Sequence, residues 1–434
     1  MKNHTYLFYF FKYTCFNVLG MIGLSCYILA DTFFVSRGLG ANGLAALNLA
    51  IPVYSLIHGS GLMIGMGAGI KYAIFKGQNN EEDACTVFTT AAKCVCVFSV
   101  LYLFIGMVFS DVIARVLGAD ETIFSMTKTY LLVILMFSPV FLLNNLILCF
   151  VRNDGAPQLA MAAMICGSLS NIVLDFVFIF PCQMGIFGAA LATGIAPVVS
   201  LAILSTFFLK KQNRFHLVNQ KNCRYIGQIV SGGFPSFVTE VSSGIVIVVF
   251  NGIILHLQGN IGVAAYGVVA NLSLVVIAIY TGIAQGIQPI FSGGYGAGNH
   301  TAVQATLRYA LITVTLVSAL VYTGIFFGAE TIAQIFNSEH DALLQIIAVR
   351  GLMFYFTGCV FAGVNIVLSA YFTSTEFARP AHIISLLRGF VLILPMAFLL
   401  SAMFQLDGVW CAFPITELTV SCIGLFFFMK HKPN

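Results

Sequence analysis

Charge is what this chain has least of. Only 8% of its 434 residues are Asp, Glu, Lys or Arg, against 59% hydrophobic, whereas a soluble domain carries about a quarter charged and about half apolar. That scarcity excludes water as the main solvent. Catalytic signatures are missing too: there is no HExxH and no GxSxG, and the eight histidines are scattered rather than set at metal-ligand spacing. No enzyme is expected. The twelve cysteines fall singly or as Cys94 and Cys96 inside apolar stretches, without the loop spacing of a disulfide framework or zinc site, and read as small packing residues. No short apolar leader with a cleavage site is evident, so no cleavable targeting peptide is expected. GMGAGIK at Gly65–Lys71 has no preceding strand and no Ser or Thr after its lysine, so it is no phosphate loop. The chain has no nucleotide-binding domain for an ATP-driven pump, and its net charge of +4 does not point to nucleic acid. No cofactor is expected.

What the chain has is long apolar runs, such as VFLLNNLILCFV and FVLILPMAFLLSAMF. A helix needs about 20 apolar residues to cross a bilayer, and lipid leaves backbone groups no partners outside the chain, so helices are required. Porin-like barrels show short alternating segments instead. The runs predict an all-α polytopic membrane protein with helices at 7–36, 43–74, 86–110, 127–151, 158–180, 185–209, 227–257, 262–290, 303–327, 344–372, 379–403 and 407–429.

Basic residues sort by side. Lys2, Lys12, Lys71, Lys76, Lys93, Arg152, the basic residues from Lys210 to Arg224, Arg308, Arg379, Arg388, Lys430 and Lys432 fall on one side of this pattern, against Arg37, Arg115, Lys128 and Arg350 on the other. The positive-inside rule then places both termini in the cytoplasm. The polar stretch KKQNRFHLVNQKNCR divides the chain into a six-helix lobe at 1–209, a cytoplasmic linker at 210–226 and a second six-helix lobe at 227–434. GLAALNLAIP from Gly43 parallels GVAAYGVVAN from Gly262, and MGIFGAALAT from Met184 parallels FQLDGVWCAF from Phe404. An even number of helices separates these repeats, so they share one orientation about a pseudo-twofold axis along the membrane normal. Gly61, Gly65 and Gly69, and in the second half Gly282 and Gly286, suit close helix contact in lipid.

Acids inside a bilayer are costly and are functional candidates by default. Four qualify: Asp31, Asp175, Glu240 and Glu417. Counting about 1.5 Å per residue from the cytoplasmic ends puts Asp31 and Asp175 at similar depth, roughly 25–28 Å up. Tyr27 precedes Asp31 by four residues and Asn171 precedes Asp175 by four, so each shares its acid's helix face. Thr193 and Tyr130 lie at comparable depth. Two carboxylates brought together repel when both are ionised, and a proton or a sodium ion relieves the repulsion. Neutral oxygens of Asn171 and Thr193 suit an alkali cation, the carboxylate pair suits a proton, and both readings stay open beside that of two acids facing an outer vestibule. Glu240 follows Pro235, which should weaken its helix; it is a possible contact of the carboxy-terminal lobe with cargo or ion, or a packing residue. Glu417 has no evident partner, and Arg388 either reaches the interface or neutralises an acid.

Taken together, ADTFFVSRGLGANGLAALNLAIP (Ala30–Pro52), RNDGAPQLAMAAMICGSLSNIVLDFVFIF (Arg152–Phe180), GIFGAALATGIA (Gly185–Ala196) and AAYGVVANLSLVVIAIYTGIAQGIQPIFSGGYGAGN (Ala264–Asn299) resemble the multidrug and toxic compound extrusion (MATE) family, in its DinF-like prokaryotic branch. The resemblance implies two six-helix lobes around a central cleft and alternating-access export of mostly cationic, amphipathic compounds, driven by inward H⁺ or Na⁺. It implies an ion site at Asp31, Asn171, Asp175 and Thr193, with Tyr27, Tyr130 and Asn145 around it. Two departures stand out. The first helix lacks the proline with which the branch bends it, offering only Gly20 and Gly23, and the second lobe lacks a complete acidic site. Coupling is therefore expected in the first lobe of a functional monomer in the cell membrane. A lipid-linked precursor flippase of the same superfamily is the alternative; it would line its cleft with basic groups.

Overall fold

The computed structural model describes residues 3–219, 224–337 and 341–430. Residues 220–223 of the expected linker, and Lys2 and Lys432 of the expected cytoplasmic ends, lie outside the described residues. The fold is all-helical: α1 (Asn3–Gly77), α2 (Glu81–Val116), α3 (Phe124–Met136), α4 (Ser138–Asn153), α5 (Pro157–Ile179), α6 (Gly185–Leu209), α7 (Ile226–Gly296), α8 (His300–Phe336), α9 (Ala342–Tyr355), α10 (Cys359–Ser374), α11 (Ala378–Leu386) and α12 (Ile393–Lys430). Polar residues punctuate these helices where the apolar runs stop. Asn80 caps α2 by accepting the Asp83 N–H at 3.1 Å, with Glu81, Glu82 and Asp83 in the first turn, where acids meet the positive end of the helix dipole. Asp341 caps α9 by accepting from Leu343 and Leu344 at 2.8 and 2.9 Å. Pro157 opens α5, a position where its missing N–H costs nothing.

Several of these helices are too long to be single spans. At about 1.5 Å per residue α1 would exceed 110 Å, more than three times a hydrocarbon core of about 30 Å. It instead turns back at Gly40, which adopts φ 67°, ψ −161°, a conformation reserved for glycine. Gly259 breaks α7 in the same way at φ 64°, ψ −156°, and Gln405 breaks α12. Among the described residues, eight stretches are long and apolar enough to cross a membrane, and the bent α3–α4 pair makes a ninth. Three of the nine contain a reversal, which brings the crossings to twelve. The first arm of α1 stays helical through Gly20 and Gly23, with Gly40 as its one break.

The internal repeat is written in the backbone as well as in the sequence. Eight of the eleven residues with positive φ fall in pairs, Gly40 with Gly259, Asn79 with Gly298, Gly155 with Glu376 and Gly185 with Gln405, each pair about 220 residues apart, as a duplicated six-helix plan requires. Turns and reversals recur at that spacing even where glycine in one half is replaced by Asn, Glu or Gln in the other.

By contacts the chain forms two compact units, one of Cys15–Val241 with Ser292–Asn299, the other of Met1–Thr14, Ser242–Phe291 and His300–Asn434. In the first, the glycine stripe of α1 takes α4 at close range. A Cβ on Gly61 or Gly65 would stand 2.8 Å from Asn145, and one on Gly69 2.8 Å from Asn153. The opening of α7 belongs to this unit too, since a Cβ on Gly233 would fall 1.8 Å from the Met63 carbonyl. The start of the linker is docked rather than loose. Phe215 is fully buried among Tyr72, Phe88, Phe150 and Phe207, and the Arg214 N–H donates to Asp154 Oδ2 at 2.7 Å. Asp154 also accepts from the Tyr72 hydroxyl and the Lys76 ammonium.

The expected fourth helix is bent by 46° between α3 and α4. Pro139 is the cause: it has no N–H to give the Leu135 carbonyl, which lies four residues back. The Ser138 hydroxyl donates to that carbonyl instead, at 2.7 Å. In the second unit the expected tenth helix passes through one 3-10 turn at Phe356–Gly358, and the eleventh through a π-helical segment at Leu387–Val391.

Candidate functional site

Six of the residues expected at the ion site gather inside the first unit. Asp31 comes from the first arm of α1, Asn171 and Asp175 from one face of α5, Thr193 from α6 and Tyr130 from α3, with Tyr27 one turn before Asp31. Asn171 and Asp175 are fully buried and Asp31 is 7% exposed. Turned so that both its ends are satisfied, the Asn171 amide donates through Nδ2 to Asp175 Oδ2 at 3.1 Å and accepts at Oδ1 from the Thr193 N–H at 3.2 Å. The Thr193 hydroxyl donates to the Ala189 carbonyl at 3.1 Å, and Tyr130 lies beside the Thr193 side chain. Asp31 and Asp175 lie within electrostatic reach of each other, and Tyr130 within reach of both. The depth match predicted from helix counting thus becomes proximity. Small residues permit it: a Cβ on Gly194 of α6 would stand 2.6 Å from the Phe137 ring, at the α3–α4 bend.

One oxygen of each acid is left over. Asp31 Oδ1 and Asp175 Oδ1 are buried without a hydrogen-bond partner, and an unmatched carboxylate oxygen away from water is expensive. A proton or a hard cation would satisfy these oxygens, and the oxygen-only chemistry of the cluster suits an alkali ion rather than a thiolate- or imidazole-seeking metal. Among the described residues no group of three or more His, Cys, Asp or Glu side chains is placed to hold a metal. Asn145 stands apart from this cluster, against Gly61 and Gly65 on the second arm of α1.

Two residues that sequence reasoning passed over extend the network. The Tyr27 and Tyr54 hydroxyls share a hydrogen bond at 3.0 Å, and the Tyr54 ring stacks on His58 with centroids 5.7 Å apart and planes 7° from parallel. His58 Nδ1 in turn stands 3.3 Å from Glu240 Oε1. The signal was present: Tyr54 and His58 are four residues apart, on one helix face. Glu240, expected as a contact of the carboxy-terminal lobe, lies in the unit built on the first half, because α7 packs there as far as Val241. Pro235 does not interrupt α7, whose one break is Gly259.

The second unit holds a closed ion pair. Arg388 donates through Nε to both Glu417 oxygens at 2.9 Å, and its Nη2 stands 2.8 Å from Oε1. Asn365 Nδ2 donates to Glu417 Oε2 at 2.7 Å and to the Glu417 carbonyl at 2.9 Å, while the Ser421 hydroxyl donates to Asn365 Oδ1 at 3.0 Å. Glu417 therefore has a partner after all, and Arg388 neutralises an acid rather than reaching the interface. The π-helical segment that carries Arg388 is the kind of local irregularity that re-aims a side chain.

Comparison with known proteins bears on the family and the fold. The MatE family model matches residues 18–177 and 235–399. The multidrug export protein MepA of Staphylococcus aureus is 23% identical over 403 residues, covering 92% of this chain and 88% of its own. MepA of Staphylococcus saprophyticus is 23% identical over 423 residues, covering 95% and 93%. The solved structure of a multidrug resistance MATE family transporter of the MOP superfamily, in its outward-facing conformation, superposes with a TM-score of 0.89 at 24% identity, over 97% of this chain and 95% of that one. With the matched segments spanning most of both halves, this multi-pass membrane protein belongs to the MatE family, the multidrug and toxic compound extrusion transporters.

Proposed function

We propose that the chain is an ion-coupled antiporter that exports small, mostly cationic, amphipathic organic compounds, and that H⁺ or Na⁺ entering at the Asp31–Asp175 pair drives the export. The observation that carries this reading is the pair itself: two buried carboxylates in mutual reach, each with an unsatisfied oxygen, bracketed by Asn171 and Thr193. With the pair ionised, the site attracts a cation. Once a proton or sodium ion has bound, that attraction is lost and cargo leaves; return to the inward-facing state then delivers the ion to the cytoplasm. The two ligands need not touch, because a coupling free energy between their sites suffices. The MepA relatives are multidrug export proteins by name, which supports the cargo class. A flippase for lipid-linked precursors fits less well, since the buried cation of the second unit, Arg388, is already tied to Glu417. The protein is read as a monomer in the cell membrane.

In everted vesicles given a fluorescent cation on the outside, uptake should follow an imposed proton gradient, a sodium gradient, or each in turn. Transport under neither would remove ion coupling from the reading. The basic bias of the linker and termini supports cytoplasmic placement of both. A membrane-impermeant maleimide should accordingly reach Gln212→Cys from the cytoplasmic face alone; labelling in intact cells would invert the orientation.

A further inference from the structure

Glu240 differs from Asp31 and Asp175 in being open: its side chain is 29% exposed, whereas His58 beside it is 15% exposed. Its surroundings are flat and aromatic. His58 lies parallel to Tyr54, and the Phe141 ring meets Tyr54 edge-on at 5.6 Å. A carboxylate next to stacked rings is the chemistry that holds an organic cation, through charge on one side and ring faces on the other. A Cβ on Gly59 would stand 3.3 Å from Glu240 Cβ, so glycine there lets α7 bring the acid against α1.

A continuous line runs from this acid to the buried pair. Glu240 faces His58, His58 stacks on Tyr54, Tyr54 shares a hydrogen bond with Tyr27, and Tyr27 lies one turn from Asp31. Tyr54 is within electrostatic reach of Tyr27, Asp31 and Glu240. Tyr130 of α3 is within reach of Tyr54 as well, and His58 is stacked on it. A shared hydroxyl pair is a two-state element, because either oxygen can be the donor. An ionised Asp31, one turn from Tyr27 and within its electrostatic reach, favours the arrangement whose hydroxyl dipoles point their protons its way, and a neutralised Asp31 removes that bias. Tyr54 lies within electrostatic reach of Glu240, so the setting of its hydroxyl dipole alters the potential at that acid.

The geometry points to a cation subsite at Glu240, faced by His58 and walled by Tyr54, whose occupancy is coupled to the ionisation of Asp31 through the Tyr54–Tyr27 hydroxyl pair. The inference rests on the ion-site reading above and adds where cargo binds and how the two sites communicate. Coupling of this kind is reciprocal and typically worth 5- to 150-fold in affinity.

The test is tetraphenylphosphonium binding to the purified full chain in lipid nanodiscs at pH 8 and pH 6, with sodium fixed. In the unsubstituted protein affinity should fall about tenfold at the lower pH. Tyr54→Phe removes one oxygen and keeps the stack, and His58→Phe keeps a flat ring but offers Glu240 nothing. In both, as in Asp31→Asn, the ratio of affinities should shrink to under about twofold, whatever the absolute affinity. Glu240→Gln should weaken binding at both pH values. A full ratio in Tyr54→Phe overturns the relay, as does a ratio that survives Asp31→Asn but disappears with His58→Phe, since the pH effect would then be local to the imidazole. Unchanged binding in Glu240→Gln overturns the subsite. The ion-site reading stands or falls separately, on gradient-driven export by the Asp31 and Asp175 variants.

Discussion

Asp175→Asn should insert and fold normally and yet lose gradient-driven export by on the order of 100-fold. The substitution keeps the shape of the side chain and an oxygen that can accept from Asn171, whose Nδ2 lies 3.1 Å from Asp175 Oδ2. What it removes is the ionisable group, so the pair is fixed in the state it otherwise reaches only when an ion has bound. A neutral amide costs no more in hydrocarbon than the carboxylate it replaces. Asp31→Asn should give the same phenotype, since either acid alone lacks the partner that makes ion binding favourable. The double variant should be little worse than either single one, because groups acting as one coupled site are not additive. The measurement is efflux of a fluorescent cation from vesicles, with expression matched. Full export by Asp175→Asn would move the coupling site elsewhere, and additive losses would mean two independent sites.

Arg388 and Glu417 should show the opposite logic, with large effects on stability that vanish when both are replaced. Their side chains are 12% and 4% exposed, so removing one partner strands a buried charge, at a cost of about 3–5 kcal/mol. Glu417→Leu leaves the guanidinium without its carboxylate, and Arg388→Met leaves the acid with Asn365 alone. Replacing both with apolar residues of similar volume removes charge and counter-charge together, and such exchanges are often near neutral. Thermal unfolding in detergent should therefore rank the double variant above both singles. A double variant that loses the sum of the single effects would show that the pair holds the π-helical segment through contacts beyond charge neutralisation.

The architecture was legible because bilayer physics leaves few choices. A run of about 20 apolar residues is a span, and the half-chain repeat survives both as GLAALNLAIP beside GVAAYGVVAN and as paired positive-φ positions. Asp31, Asn171, Asp175 and Thr193 were legible for a similar reason: polar groups inside spans are rare, and depth can be counted along a helix. The boundaries at Phe137 and Phe356 were less visible. A helix that bends within the membrane keeps its hydropathy, and the Ser138 hydroxyl that repairs the lost bond at Leu135 leaves no mark on it. Partnerships between distant spans escaped for want of a register. Arg388 and Glu417, 29 residues apart, sit on adjacent runs whose relative rotation the sequence does not state, and the His58–Glu240 pairing bridges α1 and α7 across the whole first half.

The docked start of the linker shortens the leash between the two halves. Seen as a string of residues, the connection from Leu209 to Ile226 would reach about 60 Å at about 3.5 Å per residue. Phe215 is fully buried, however, and the Val218 N–H is bound to the Thr89 hydroxyl on α2. At the far end the Tyr225 hydroxyl is bound to Asp83 on the same helix. Seven residue steps separate Val218 from Tyr225, about 25 Å of contour at most. Any rearrangement in which α7 departs from α2 must either stay within that length or first pull an aromatic side chain out of its socket.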